Sequence, residues 1–187
     1  MGFIFSKLLS LFVAKRKARI LMLGFEAAGK TSILYQMKFG KLIKTIPTIG
    51  FNVEQIDYKG LNITIWDVCA QSKAKLYWKN YYQDIDGIIF VVDSNDKEIF
   101  EMVRDTLLEC LNNEILKDAA FLIFANKQDL NGAVSPNELT KILEIEKIKN
   151  RKWFIQGSSA VNGQGIKEVL DWLTNIHINK KYTKKKL

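Results

Sequence analysis

Apolar residues recur along the chain with two different periods, which predict strands and helices in alternation. Short apolar or alternating runs bounded by turn residues predict six strands, at 18–23, 51–58, 61–67, 87–93, 121–126 and 152–156. Apolar residues spaced three or four positions apart predict helices over 30–38, about 97–112, a segment starting at Ser135-Pro136, and about 165–176. Ser135, Pro136 and Glu138 are typical of a helix start with a capping box.

The order of these elements predicts the fold class. Lys59-Gly60 is a hairpin turn signal between the second and third strands, whereas helices separate most of the other strands. Because parallel strands need such crossover helices, we predict an α/β fold. It has a six-stranded, mostly parallel sheet with one antiparallel edge strand and helices on both faces.

The net charge of +8 lies at the two ends of the chain. Residues 1–19 and 179–187 contain ten lysines and arginines and no acidic residue, which leaves 18 basic and 20 acidic residues between them. This near-neutral middle excludes a basic nucleic-acid platform. Two widely spaced cysteines favour a reducing compartment. We expect one domain over 18–178, an N-terminal segment (1–17) and a basic tail (179–187).

The N-terminal segment combines a lipidation pattern with an amphipathic helix pattern. Met1-Gly2 followed by Ser6 matches the N-myristoylation motif, in which Gly2 is the acceptor after removal of Met1. The following residues are mostly apolar, with Ser6, Lys7 and Ser10 on one narrow polar face. Basic residues come after the apolar ones, the reverse of a signal peptide. We expect the segment to alternate between docking on the domain and binding an anionic membrane with the basic tails.

A phosphate-binding loop follows the first predicted strand. Residues Gly24-Phe25-Glu26-Ala27-Ala28-Gly29-Lys30-Thr31 match the full motif between a strand and a helix. The glycines let backbone N–H groups turn inward, Lys30 adds positive charge toward the β- and γ-phosphates, and Thr31 offers a hydroxyl to Mg²⁺. We expect this loop and Ser32 to bind the phosphates of a nucleotide, with a purely structural glycine turn as the alternative.

Residues Asn126-Lys127-Gln128-Asp129 follow a buried strand and predict which base is bound. The Asp129 carboxylate can accept hydrogen bonds from N1–H and the exocyclic amine of guanine, whereas adenine lacks both donors. We expect Asn126 and Lys127 to connect this loop to the phosphate loop and to stack along the base. After the last strand, Ser158-Ser159-Ala160 either donates a backbone N–H to guanine O6 or is an ordinary loop.

In this order, the motifs resemble those of the small GTPases of the ADP-ribosylation factor (Arf) family. The resemblance includes Met1-Gly2 and residues 24–32, 46–54, 66–68, 90–96, 124–130 and 171–173. It implies the P-loop small GTPase fold, GTP and GDP with Mg²⁺ as cofactors, and slow GTP hydrolysis. It also implies exchange factors, GTPase-activating proteins and coat or effector proteins as partners. The location implied is cytoplasmic, on Golgi or other endomembranes, in vesicle-mediated transport.

The resemblance also assigns roles to single residues. Thr48 corresponds to the threonine whose hydroxyl joins Thr31 on Mg²⁺ in the GTP state, and Asp67 to the aspartate that holds a metal-bound water. Gln71 corresponds to the glutamine that orients the attacking water, which makes it the predicted catalytic residue. Ala70 corresponds to a residue whose N–H contacts the γ-phosphate.

Three aromatic residues, Phe51, Trp66 and Tyr81, match the cluster with which the family contacts effectors. Core packing is the alternative explanation for the same residues. The resemblance further implies that the N-terminal helix leaves the domain on GTP binding, when the strands at 51–58 and 61–67 slide.

The sequence departs from the family pattern just before Gln71. The family has two glycines where this chain has Cys69 and Ala70. Ala70 keeps its N–H but has less access to positive φ, so switching or hydrolysis is impaired if the loop needs that conformation. A guanine-nucleotide-binding module that neither switches nor hydrolyses is therefore a second hypothesis. A phosphate-loop kinase is a third, which Asp129 disfavours.

Co-expression with a myristoyltransferase tests the lipidation site. We expect the intact mass of the protein to increase by one myristoyl group, and Gly2→Ala to abolish the increase because the modification requires an N-terminal glycine. An acyl group on the Gly2→Ala variant would contradict the assignment.

Overall fold

Six strands and four α-helices form the described part of the chain, which in this computed structural model comprises residues 16–46, 48–68, 74–149 and 151–184. The strands are β1 (Arg16–Gly24), β2 (Phe51–Tyr58), β3 (Leu61–Val68), β4 (Gly87–Asp93), β5 (Ala120–Asn126) and β6 (Trp153–Gly157). The α-helices are α1 (Lys30–Phe39), α2 (Phe100–Leu111), α3 (Pro136–Ile142) and α4 (Ile166–Lys184). 3₁₀-helices cover Ala74–Tyr81, Lys97–Ile99, Glu114–Leu116 and Ile145–Lys147.

The strands form one sheet in the order β2-β3-β1-β4-β5-β6. β2 runs antiparallel to β3, and the other neighbouring strands are parallel. The turn between β2 and β3 is Lys59-Gly60, and both residues have positive φ (45° and 78°), as a tight two-residue hairpin requires. The predicted α/β fold with one antiparallel edge strand is confirmed.

Helices cover both faces of the sheet, as predicted. On one face the apolar side chains pack with α2, α3 and the 3₁₀-helix at Ala74–Tyr81, and on the other with α1 and α4. Every residue of β4 and β5 is buried, because these strands are covered on both faces. Full coverage explains why both strands are continuous apolar runs in the sequence.

Three elements have bounds that differ from the predicted ones by more than one residue. β1 begins at Arg16 because this residue pairs with Leu61 at the start of β3. The helix predicted over about 97–112 is a 3₁₀-helix at Lys97–Ile99 followed by α2. α4 continues to Lys184, since no glycine or proline stops it near 176. Part of the predicted basic tail is therefore helical, and the division of the chain at 17 and 178 stays a prediction.

Several predicted functional residues lie outside the described residues. They are Gly2 and the rest of the amphipathic pattern up to residue 15, together with Cys69, Ala70 and Gln71. Within the described ranges, none of the helices has the length and apolar character that a membrane crossing needs.

Candidate nucleotide-binding site

The phosphate loop connects β1 to α1 and depends on two glycines. Gly24 (φ 140°) and Gly29 (φ 92°) both have positive φ. A Cβ atom on Gly24 would lie 2.2 Å from the Val91 carbonyl oxygen, and one on Gly29 would lie 2.5 Å from Nδ2 of Asn126. Glycine is therefore required at both positions by space as well as by backbone conformation. The loop between them adds a left-handed Ala27 (φ 58°).

The start of α1 is arranged to receive an anion. Its N-cap, Gly29, provides no side-chain hydrogen bond, and its first turn contains no acidic residue. The N–H groups of that turn and the positive end of the helix dipole are thus left for another acceptor. Nζ of the buried Lys30 donates to the Phe25 carbonyl at 2.9 Å, which places its charge on the same loop.

Two hydroxyls and one carboxylate meet beside the phosphate loop. Thr31 Oγ1 donates to Asp67 Oδ2 at 2.6 Å and lies 2.9 Å from Thr48 Oγ1. Because the single proton of Thr31 is directed at Asp67, Thr48 is the donor in the second contact. The predicted partners Thr31, Thr48 and Asp67 are therefore adjacent in space, although they are far apart in sequence.

Asp67 is fully buried, and its Oδ1 has no hydrogen-bond partner. Burial raises the pKa of Asp67, while the hydrogen bond from Thr31 and the charge of Lys30 act in the opposite direction. The folded state therefore favours the protonated form of Asp67. The contribution of Asp67 to folding stability is fully present below the ordinary aspartate pKa and is lost as the pH rises through the raised pKa. A divalent cation would compensate the buried charge, and hydroxyl and carboxylate oxygens are the ligands that Mg²⁺ prefers.

One buried amide connects three loops at the opposite side of the phosphate loop. Asn126 Nδ2 donates to the Ala28 carbonyl at 2.8 Å. Its Oδ1 accepts from Ser158 Oγ and from the Ala160 N–H, both at 3.3 Å. Asn126, at the end of β5, thus holds the phosphate loop, its own loop and the loop after β6 together. The predicted connection between the first two loops is present for Asn126.

Lys127 is held by the carboxylate of Asp93, which is not among the predicted site residues. Its Nζ donates to Asp93 Oδ2 at 2.5 Å, and its φ is 67°. Asp93 ends β4, next to Asn126 at the end of β5. The position of Asp93 at the carboxyl end of a buried strand was the available signal, since ligands bind at that edge of parallel sheets.

The two predicted base contacts have different surroundings. Asp129 is exposed, so its carboxylate is accessible to a ligand. Ser159 and Ala160 are buried, and their N–H groups donate to the Gln164 carbonyl (3.2 Å) and to Asn126 Oδ1 (3.3 Å). A bond from this loop to guanine O6 would have to share one of these long contacts, so that contact stays a prediction.

The three predicted effector-contacting aromatic residues form one cluster. The ring centroids are 5.4 Å apart for Phe51 and Trp66, 6.0 Å for Phe51 and Tyr81, and 6.2 Å for Trp66 and Tyr81. Trp66 and Tyr81 are partly buried against the core, whereas Phe51 is 50% exposed. Core packing therefore explains two of the rings but leaves the half-exposed Phe51 available to a partner.

This combination of fold and loops defines a class of protein. A mostly parallel sheet with a phosphate loop after β1, a threonine pair beside a buried aspartate, and an Asn-Lys-Gln-Asp loop after β5 is the architecture of a P-loop small GTPase. The sequence model of the ADP-ribosylation factor family matches residues 4–177. The chain belongs to the ADP-ribosylation factor family, whose members are GTP-binding switch proteins and generally hydrolyse GTP.

A solved structure supports the same conclusion. The Arl6 (BBS3) small GTPase from Trypanosoma brucei, bound to the nucleotide analogue GppNp, is 30% identical to this chain with a TM-score of 0.81. The match covers 87% of this chain and 98% of that one. The predicted family is confirmed.

Removing the Asn126 amide tests whether it holds the three loops together. We expect Asn126→Ala to lower the free energy of unfolding of the nucleotide-free protein by about 2–3 kcal/mol, because the buried partners of the amide are left unpaired. Urea unfolding followed by tryptophan fluorescence measures the change. The exposed Asn137→Ala variant is the control and should unfold within about 0.5 kcal/mol of wild type. Equal stability of the two variants would contradict the network.

Proposed function

We propose that the protein binds GTP and GDP with Mg²⁺, hydrolyses GTP slowly, and recruits effectors to a membrane when it holds GTP. The observation that carries the proposal is the Asn126 network, which joins the loop at residues 126–129 directly to the phosphate loop. A ligand that engages both loops must present a base and a phosphate chain at a fixed separation. A nucleotide has this form.

Guanine is the base that fits the exposed Asp129. Its carboxylate would accept two hydrogen bonds from N1–H and the exocyclic amine, and the stem of Lys127 would lie along the base. Since Lys127 is paired with Asp93, its side chain is already oriented before a ligand arrives. An adenine nucleotide would leave the carboxylate desolvated and unpaired, which costs about 1–3 kcal/mol or more.

The phosphates would lie on residues 24–32, with N–H groups of the loop and Lys30 as donors. Thr31 and Thr48 would supply hydroxyl ligands to Mg²⁺, and the unpaired oxygen of Asp67 would hold one of its water ligands. When bound, Mg²⁺ supplies positive charge that neutralises the phosphate oxygens. The three side chains are already in contact, so the site is pre-organised for the cation.

Hydrolysis depends on the segment around Gln71, which lies outside the described residues. Gln71 would orient the attacking water, and an arginine from an activating protein would add positive charge to the transition state. Ala70 would offer its backbone N–H to the γ-phosphate. Because Cys69 and Ala70 stand where the family has glycines, a nucleotide-binding module without efficient switching is the second candidate function.

Membrane attachment is supported by the positions of β1, which begins within the basic residues 1–19, and of α4, which continues into the basic residues 179–187. Ile176 of α4 lines the same small cavity as Ala18 of β1 and Leu61 of β3. The start of β1 and the last turns of α4 are therefore at the amino ends of the parallel strands. The phosphate loop is at the opposite, carboxyl end of β1. A myristoyl group on Gly2 gives only marginal membrane affinity alone, so adjacent cations would supply the second signal. We propose a cytoplasmic protein on Golgi or other endomembranes in vesicle transport. Its regulators are an exchange factor and an activating protein.

Single-turnover hydrolysis of GTP tests the first candidate against the second. We expect slow intrinsic hydrolysis and an acceleration of about 10³-fold or more by an activating protein of the family, because the arginine stabilises the transition state. The Gln71→Ala variant is the control and should not respond. If the activating protein accelerates GTP hydrolysis by the Ala70→Gly variant but not by the wild type, the protein is the nucleotide-binding module without efficient switching.

A further inference from the structure

A single carboxylate of α4 holds the tip of the β2–β3 hairpin. The hydroxyl of Tyr58, the last residue of β2, donates to Asp171 Oδ1 at 2.7 Å. Nζ of Lys59, in the turn, donates to the same oxygen at 2.5 Å. Two consecutive residues of the hairpin thus converge on one atom of a helix that is far away in the sequence.

All three groups keep the protonation state that the contact needs at neutral pH. The hydrogen bond from Lys59 lowers the pKa of Asp171 most, and the hydrogen bond from Tyr58 lowers it further. The same bonds to Asp171 raise the pKa of Lys59 and of Tyr58. The carboxylate therefore stays ionised and its two donors stay protonated across the physiological range.

The other end of the hairpin carries the candidate cation site. β3 starts at Leu61, directly after the turn, and Asp67 near its end contacts Thr31. Thr48 comes three residues before β2 begins at Phe51 and contacts the same Thr31. The two strands of the hairpin therefore connect the Asp171 contact with the cation site.

The register of β3 is specified by its pairing with β1 and by its buried side chains. β3 pairs with β1 from Arg16 with Leu61 to Met22 with Asp67. Its buried Ile63 and Ile65 can stay on the core face only if the register changes by two residues, which is a shift of about 7 Å. Such a shift would separate Asp67 from Thr31 and would also carry Tyr58 out of reach of Asp171.

The middle of the hairpin has an anchor of the same kind. Glu54 of β2 forms an ion pair with Lys38, which lies in the last turn of α1. This pair would also break on a two-residue shift. The hairpin is thus attached at its tip, at its middle and at its nucleotide end in one and the same register.

We propose that Asp171 is a positioning residue that holds the hairpin in the register with Asp67 and Thr48 beside Thr31, and so favours Mg²⁺-bound GTP over GDP. The inference rests on the proposed function, in which Thr48 reaches the cation in the GTP state. Asp171 touches neither nucleotide nor cation in this scheme. It acts through the position of β3.

Dissociation of a fluorescent GDP and of a fluorescent, non-hydrolysable GTP analogue from the full-length protein tests the proposal. We expect Asp171→Asn to accelerate release of the GTP analogue about three- to tenfold in Mg²⁺ and to change release of GDP less than twofold. Glu168→Gln is the matched control, because it removes the same charge from the same helix one turn earlier. It should leave the ratio of the two rates unchanged.

A double-mutant comparison separates the contact from a general loss of stability. Tyr58→Phe should accelerate release of the GTP analogue in the wild-type background and add little in the Asp171→Asn background. Equal acceleration of both nucleotides, or no change, would overturn the inference. If the wild-type protein binds the GTP analogue no better with Mg²⁺ than without it, the proposed function is overturned as well. If binding depends on Mg²⁺ but Asp171→Asn leaves the ratio of the two release rates unchanged, only the inference is overturned.

Discussion

The site depends on the carboxamide of Asn126, a buried group at the end of β5 whose donor and acceptor both have partners in other loops. The Ala28 carbonyl belongs to the phosphate loop, and Ser158 and Ala160 belong to the loop after β6. Three segments from different parts of the chain are thereby held at the carboxyl edge of the sheet. Because an unpaired buried amide is costly, the contacts restrict all three loops to one arrangement.

A second constraint is electrostatic and lies on the other side of the phosphate loop. Asp67 is buried beside two threonine hydroxyls, with one oxygen unpaired, so the ionised carboxylate is unfavourable without a cation. The same residue belongs to a strand whose far end is tied to α4 through Asp171. Asp67, the register of β3 and the hairpin tip are therefore connected through one strand pair.

Much of this arrangement could be predicted from local patterns. The glycine spacing of the phosphate loop, the continuous apolar runs of β4 and β5, and the Lys59-Gly60 turn each report a local requirement that the structure confirms. The Asp93–Lys127 pair and the contacts of Asp171 could not be predicted in this way, because they join residues 34 and 112–113 positions apart. Such pairs depend on how strands and helices are placed relative to each other, which no single window of sequence contains.

Selection of guanine by the Asp129 carboxylate can be measured by competition binding of nucleoside diphosphates. We expect wild-type protein to bind GDP about 10³-fold or more tightly than ADP. We expect Asp129→Asn to transfer the preference to xanthosine diphosphate, since xanthine has a carbonyl where guanine has its amine and the new amide can donate to it. ADP binding within about tenfold of GDP, or an unchanged preference in Asp129→Asn, would show that Asp129 does not select the base.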